Sequence, residues 1–105
     1  MQHVCSSADL AEGQSLSLKT PSASLFAVRK EGQVYIYRNQ CPHRRVPLNW
    51  QADQFLDDSH SLIRCAQHGA LFSIEDGQCV AGPCEGKELE SVPCREDAQG
   101  IWADL

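Results

Sequence analysis

Between residues 24 and 38 apolar and polar positions alternate with the two-residue period of a β-strand. Phe26 and Val28 alternate before a Glu31-Gly32 pair, Val34 and Ile36 after it. The pattern predicts a hairpin, SLFAVRK (24–30) against QVYIYR (33–38), with a glycine in the turn that can take positive φ. The layout recurs twice. ALFSI (70–74) and QCV (78–80) flank Glu75-Asp76-Gly77, and LESVPC (89–94) and IWADL (101–105) flank a turn at Gly100. No segment sustains a helical period over more than about ten residues. The expected class is all-β, a small antiparallel sandwich or barrel.

Two stretches break the alternation. Residues 46–60, VPLNWQADQFLDDSH, form a long connection with Trp50 and Phe55 among polar residues, and such connections are usually functional or mobile. The two aromatics are expected to form a small core of that loop. AGPCEGKE (81–88) carries glycines and a proline that force a tight path outside any strand.

A chain of 105 residues, 42% hydrophobic and 22% charged, fits one globular domain with no room for a second independent core. Its net charge of −5, with no basic cluster beyond His43-Arg44-Arg45, lacks the footprint of a nucleic-acid-binding surface. The start is polar and mildly acidic, and no apolar run is long enough to cross a bilayer. The sequence therefore reads as a cytoplasmic monomer with no nucleic-acid or membrane partner. Acidic residues gather at 53–58 (Asp53, Asp57, Asp58) and 85–97 (Glu85, Glu88, Glu90, Glu96, Asp97). These are read as solvated surface, the sharper alternative being a docking face for a basic protein.

Six cysteines in a reducing compartment point to metal binding sooner than to a disulfide scaffold. Four of the Cys and His residues fall into two short motifs, Cys41-Pro42-His43 and Cys65-Ala66-Gln67-His68, with 21 residues between His43 and Cys65. Each motif follows a predicted strand, so two strand-end loops can face one another with two thiolates and two imidazoles. Structural zinc takes four such ligands, but its usual layout pairs cysteine with cysteine and histidine with histidine. A Cys/His nucleophile pair needs one cysteine and one base, and leaves the second pair unexplained. A mixed pair on each loop suits a centre of two inequivalent irons, each loop giving its cysteine to one and its histidine to the other. Cys5, Cys79, Cys84 and Cys94 are read as structural thiols, with a bridge from Cys79 to Cys94 or Cys84 left open, and His3 and His60 as solvated surface residues.

CPHR (41–44), CAQHGALF (65–72), EDGQCVAGPC (75–84) and the Leu89 that follows resemble the two cluster loops and the proline loop of Rieske-type ferredoxins and oxygenase Rieske domains, a likeness spanning roughly residues 25–105. The resemblance implies a single domain over 1–105, with cluster-binding loops at about 39–47 and 64–72 and a proline loop at about 81–86. It implies one [2Fe–2S] cluster per chain, with Cys41 and Cys65 on the inner iron and His43 and His68 on the outer one. Gly69 would let the backbone turn tightly beside the cluster, and Gly82 and Pro83 would form a lid. Arg44 and Arg45 are read either as ordinary surface charges or, from their place beside His43, as positive charge next to the electron's exit where an acidic partner patch could dock. The high-potential branch of the family has a loop-to-loop disulfide where this chain has Val46 and Gln67, and a serine where it has Ala70. Both departures imply a potential low in the Rieske range, about −150 mV.

The implied function is one-electron transfer between an NAD(P)H-linked flavoprotein reductase and an electron-accepting enzyme such as a dioxygenase. An oxygenase itself needs a mononuclear iron held by two histidines and a carboxylate, and beyond the cluster motifs only His3 and His60 remain. The chain is therefore expected to catalyse nothing alone. Two alternatives stay open: the small Rieske subunit of an NAD(P)H nitrite reductase complex, and a zinc-stabilised interaction module with no redox role.

Overall fold

The computed structural model describes residues 1–20, 24–40, 42, 48, 53–65, 69–84 and 86–104. Ten strands are described: β1 (Gln2–Cys5), β2 (Ser15–Lys19), β3 (Ser24–Lys30), β4 (Gln33–Arg38), β5 (Leu62–Arg64), β6 (Leu71–Ser73), β7 (Cys79–Ala81), β8 (Ser91–Val92), β9 (Cys94–Asp97) and β10 (Gly100–Ala103). A 3-10 turn covers Ser7–Asp9. The strands make three open antiparallel sheets, ordered β1-β10-β9, β2-β3-β4-β8 and β5-β6-β7. The all-β expectation holds, in the form of stacked open sheets.

The four-stranded sheet is the middle layer. Leu25, Ala27, Val34 and Ile36 face a core shared with Leu10, Ile101 and Ala103, while Phe26, Val28 and Tyr37 face a second core shared with Ile63, Phe72 and Ile74. Both faces are covered, which is why Leu25-Phe26-Ala27-Val28 is buried without a break. The β3–β4 hairpin occupies the predicted residues, but its register pairs Phe26 with Tyr37, Val28 with Tyr35 and Ala27 with Ile36. Phe26 and Val28 therefore lie on the opposite face from Val34 and Ile36. Both turn residues take positive φ, Glu31 at 53° and Gly32 at 76°. Their amides donate to the Glu12 carboxylate at 2.6 and 2.8 Å, which satisfies a turn that would otherwise strain a glutamate.

The second predicted hairpin is β6–β7. The third differs: β8 pairs with β4 in the middle sheet, and the hairpin partner of β10 is β9, with Gly100 starting a strand. Nothing in the pattern anticipated β1 and β2. Each is short, and each forms by pairing, β1 with β10 and β2 with β3.

One ion pair ties two sheets. Arg29 on β3 donates from both terminal nitrogens to Glu96 on β9, at 2.9 and 2.6 Å, and from Nε to the Leu10 carbonyl at 2.7 Å. The Arg29 side chain is 13% exposed and that of Glu96 28%. The Arg29 hydrogen bonds, aided by one from Ser7, hold the Glu96 carboxyl down at about 2. Its unfolded value is about 4.3. A carboxyl depressed on folding stabilises the fold above its unfolded value and loses that contribution as pH falls through the folded one. Glu96→Gln is expected to lower the unfolding free energy by about 1–2 kcal/mol at pH 7. The gap from wild type should close between pH 4.3 and 2, as read by urea denaturation across that range. Equal urea midpoints at pH 7 would show that this pair does not stabilise the sheet contact.

Candidate metal centre

The β5-β6-β7 sheet leads into the second Cys/His motif at Cys65. Ile63 is buried on β5, and β5 ends at Arg64, opposite Leu71. Cys65 is the next residue and is 0% exposed. Its amide donates to the Ala70 carbonyl and its carbonyl accepts from the Gly69 amide, both at 2.9 Å, so the main chain closes this loop on itself. Gly69 takes φ +70, the left-handed conformation expected of it. The proline loop lies against the same turn. A Cβ on Gly82, which has φ +100, would stand 2.8 Å from the Ala70 Cα. Glycine is thus the residue that lets the lid touch this loop. Cys84 is fully buried in the same core as Cys65, and the Lys87 amide donates to its carbonyl at 2.9 Å.

The first motif follows β4. Asn39 donates its amide to the Ser24 carbonyl at 2.9 Å, and Asn39 Oδ1 accepts from the Leu48 amide at 2.8 Å. Leu48 is 0% exposed and belongs to the core that contains Cys65. Cys41, His43 and His68 lie outside the described residues, as do Arg44, Arg45, Val46, Trp50, Gln67 and Glu85. Among the described residues no three His, Cys, Asp or Glu side chains gather as metal ligands. Of the four ligand candidates the structure places one, Cys65.

Several contacts hold the β5-β6-β7 sheet on the middle one. Tyr37, whose hydroxyl pKa is raised by burial first and by nearby Asp76 next, donates to the Ile74 carbonyl at 2.6 Å. Lys30 and Glu75 pair at 3.1 Å. Phe55 is 0% exposed and stacks on Phe26, with ring centroids 4.4 Å apart and an interplanar angle of 6°. Phe55 therefore belongs to the main core, and is not part of a separate core within residues 46–60. Sequence reasoning missed Tyr37 and Asn39. A tyrosine at an inward strand position must find a partner for its hydroxyl, a signal that would have singled out Tyr37.

The acidic groups are mostly committed within the fold. Asp53 accepts from the Ser17 amide at 2.6 Å, and its carbonyl accepts from Ser15 Oγ at 2.7 Å. Asp57 accepts from the Ser61 and Leu62 amides at 3.0 and 3.2 Å. Glu88 accepts from Gln78, Glu90 pairs with Arg38, and Asp97 accepts from Trp102. These residues fasten loops and strands while keeping their carboxylates at the surface. The remaining histidines are exposed yet partnered: His3 with the Gln99 carbonyl and the edge of Trp102, and His60 with the Gly13 carbonyl at 2.7 Å.

No disulfide joins Cys5, Cys65, Cys79, Cys84 and Cys94. Burial raises the Cys5 and Cys94 thiol pKa values, which suits structural thiols. Among the described residues no helix is long and apolar enough to cross a membrane.

The Rieske [2Fe-2S] domain model matches residues 1–95. The chain belongs to this family. The match covers β1 and β2, ahead of the roughly residue 25 at which the sequence resemblance begins, and ends at residue 95 within β9, short of the 105 to which that resemblance extends. Among curated relatives, the ferredoxin component of the p-cumate 2,3-dioxygenase system of Pseudomonas putida is 30% identical over 97% of this chain and 83% of its own. The cholesterol 7-desaturase of Caenorhabditis elegans is 34% identical over 94% of this chain, which spans only 24% of that protein. The Rieske fold is shared with the ferredoxin of carbazole 1,9a-dioxygenase from Nocardioides aromaticivorans IC177, at TM-score 0.78, 21% identity, and coverage of 96% of this chain and 93% of that one.

The cofactor of a Rieske domain is a [2Fe–2S] cluster. The described part of the site fits it. Cys65 is fully buried, next to the turn on which Gly82 packs against Ala70, and iron would compensate the charge that a thiolate ligand there carries.

Proposed function

We propose that Cys41, His43, Cys65 and His68 hold the cluster, the cysteines on one iron and the histidines on the other, in a single domain over residues 1–105. The chain is a one-electron carrier of the Rieske ferredoxin kind, taking its electron from an NAD(P)H-linked flavoprotein reductase and passing it to a terminal oxygenase in the cytoplasm. When bound, the cluster supplies reversible one-electron chemistry. The protein's own residues bury one end of the site and position its loops: Cys65 gives a sulfur from the core, Ala70 and Gly82 exclude water there, and Tyr37 fixes the sheet beneath.

The observation that carries this reading is the fully buried Cys65 at a main-chain-closed strand end, with Gly82 packed against Ala70 of the same turn, in a chain matched by the Rieske model. The named ferredoxin component of a dioxygenase system, matched over most of its length, favours an oxygenase as the recipient. Anaerobically purified protein is expected to be coloured, to contain iron and acid-labile sulfide in equal amounts, and to give an electron paramagnetic resonance signal of histidine-ligated type on reduction. Zinc in place of iron, with no sulfide, would overturn the reading in favour of a zinc-stabilised module.

A further inference from the structure

The two motif loops are closed by different means. Around Cys65 the closure is all main chain, Cys65 N–H to the Ala70 carbonyl and Gly69 N–H to the Cys65 carbonyl, so no side-chain substitution removes it directly. Around the first motif the described closure is a side chain. Asn39 has already given its own amide to Ser24 on the neighbouring strand, and its Oδ1 takes the Leu48 amide at 2.8 Å. Cys41 and His43 lie in sequence between these two residues.

We infer that Asn39 is a positioning residue for the metal centre, acting through Leu48 to close the segment that carries Cys41 and His43. This rests on the ligand assignment proposed above. Leu48 is anchored by its side chain in the core shared with Cys65, Phe55 and Cys84, and Asn39 is anchored by its main chain to β3. The Asn39–Leu48 bond joins those anchors across the middle sheet and the cluster-side core. A loop whose ends are pinned loses little further entropy when its ligands converge, whereas an open one must be ordered by the metal itself. Removing the acceptor also leaves a part-buried Leu48 N–H without its partner, which costs more than the bond contributes.

The test uses holoprotein and the rate at which a chelator strips the cluster. Asn39→Ala is expected to lose its cluster roughly five- to tenfold faster than wild type. The resonance lines of the retained cluster should broaden, while deuterium uptake across β3 and β4 stays unchanged. Asn39→Asp keeps an acceptor oxygen and is expected to restore the wild-type rate. An Asn39→Ala rate equal to wild type, or an Asn39→Asp rate as fast as that of Asn39→Ala, would overturn the inference. If Asn39→Ala does not accumulate as holoprotein, hydrogen exchange at the Leu48 amide of wild type decides. Protection supports the bond, and exchange at the rate of an open peptide refutes it. A wild-type protein without the histidine-ligated signal would instead sink the ligand assignment, whatever the Asn39 variants do.

Discussion

Cysteine in place of His43 or His68 is expected to lower the midpoint potential from about −150 mV part of the way toward the about −400 mV of clusters held by four cysteines. The reason is charge. Two ferric irons, two sulfides and two thiolates sum to zero when the other two ligands are neutral imidazoles. Each imidazole exchanged for a thiolate leaves the oxidised core one unit more negative, and a negative core accepts an electron less readily. Alanine at either position should act differently, because it leaves an iron short of a ligand: iron and sulfide contents should fall toward zero. A redox titration followed by visible absorption and electron paramagnetic resonance separates the two cases. Either variant keeping the wild-type spectrum and potential would remove that histidine from the ligand set. His3→Ala and His60→Ala serve as controls. Both side chains have main-chain carbonyl partners at the surface, so neither change should move the potential.

Chemistry was easier to read in this sequence than architecture. The spacing of Cys41, His43, Cys65 and His68 is short-range, and each pair is fixed by a few residues around it, so the motifs were legible without the fold. The β3–β4 and β6–β7 hairpins were legible for the same reason, since local alternation and a glycine turn suffice. What escaped depends on partners distant in sequence. β1 has only Val4 and Cys5 partly packed on the core, and β2 only Leu16 and Leu18, too few to show a period. They become strands because β10 and β3 offer open edges. The β3–β4 register was not legible for a different reason: with cores on both faces, inward positions occur at every residue, so alternation does not tell which face is which. The Asn39–Leu48 bond links residues nine apart across a motif whose spacing says nothing about how its ends meet.

Phe55→Ala is expected to lower the unfolding free energy by about 3–5 kcal/mol, the largest stability loss expected of any single substitution considered. The ring is fully buried, stacked on Phe26 at 4.4 Å, and sits where residues 55–57 run antiparallel alongside β5. Removing it forfeits both the burial and the aromatic pair, and the space left is bounded by Phe26 on the middle sheet and Ile63 on β5, neither free to collapse into it. The main-chain bonds around it sharpen the effect. The Phe55 carbonyl accepts from the Arg64 amide at 2.9 Å, and its amide donates to Ser15 Oγ at 3.3 Å. The backbone is thus held at its present distance from Phe26, and the void persists. A loss of this size is a large share of the roughly 5–15 kcal/mol of an ordinary domain. Arg64 immediately precedes Cys65, and Phe55 and Cys65 belong to one core. Cluster binding stabilises the folded state of both proteins by mass action, so the deficit should be equal in apoprotein and holoprotein if the substitution leaves cluster affinity alone, and larger in holoprotein if it weakens it. Urea denaturation of both forms, compared with Phe55→Leu, measures this. A loss below about 1 kcal/mol in Phe55→Ala would show that residues 53–60 pack on the core without depending on the stacked ring.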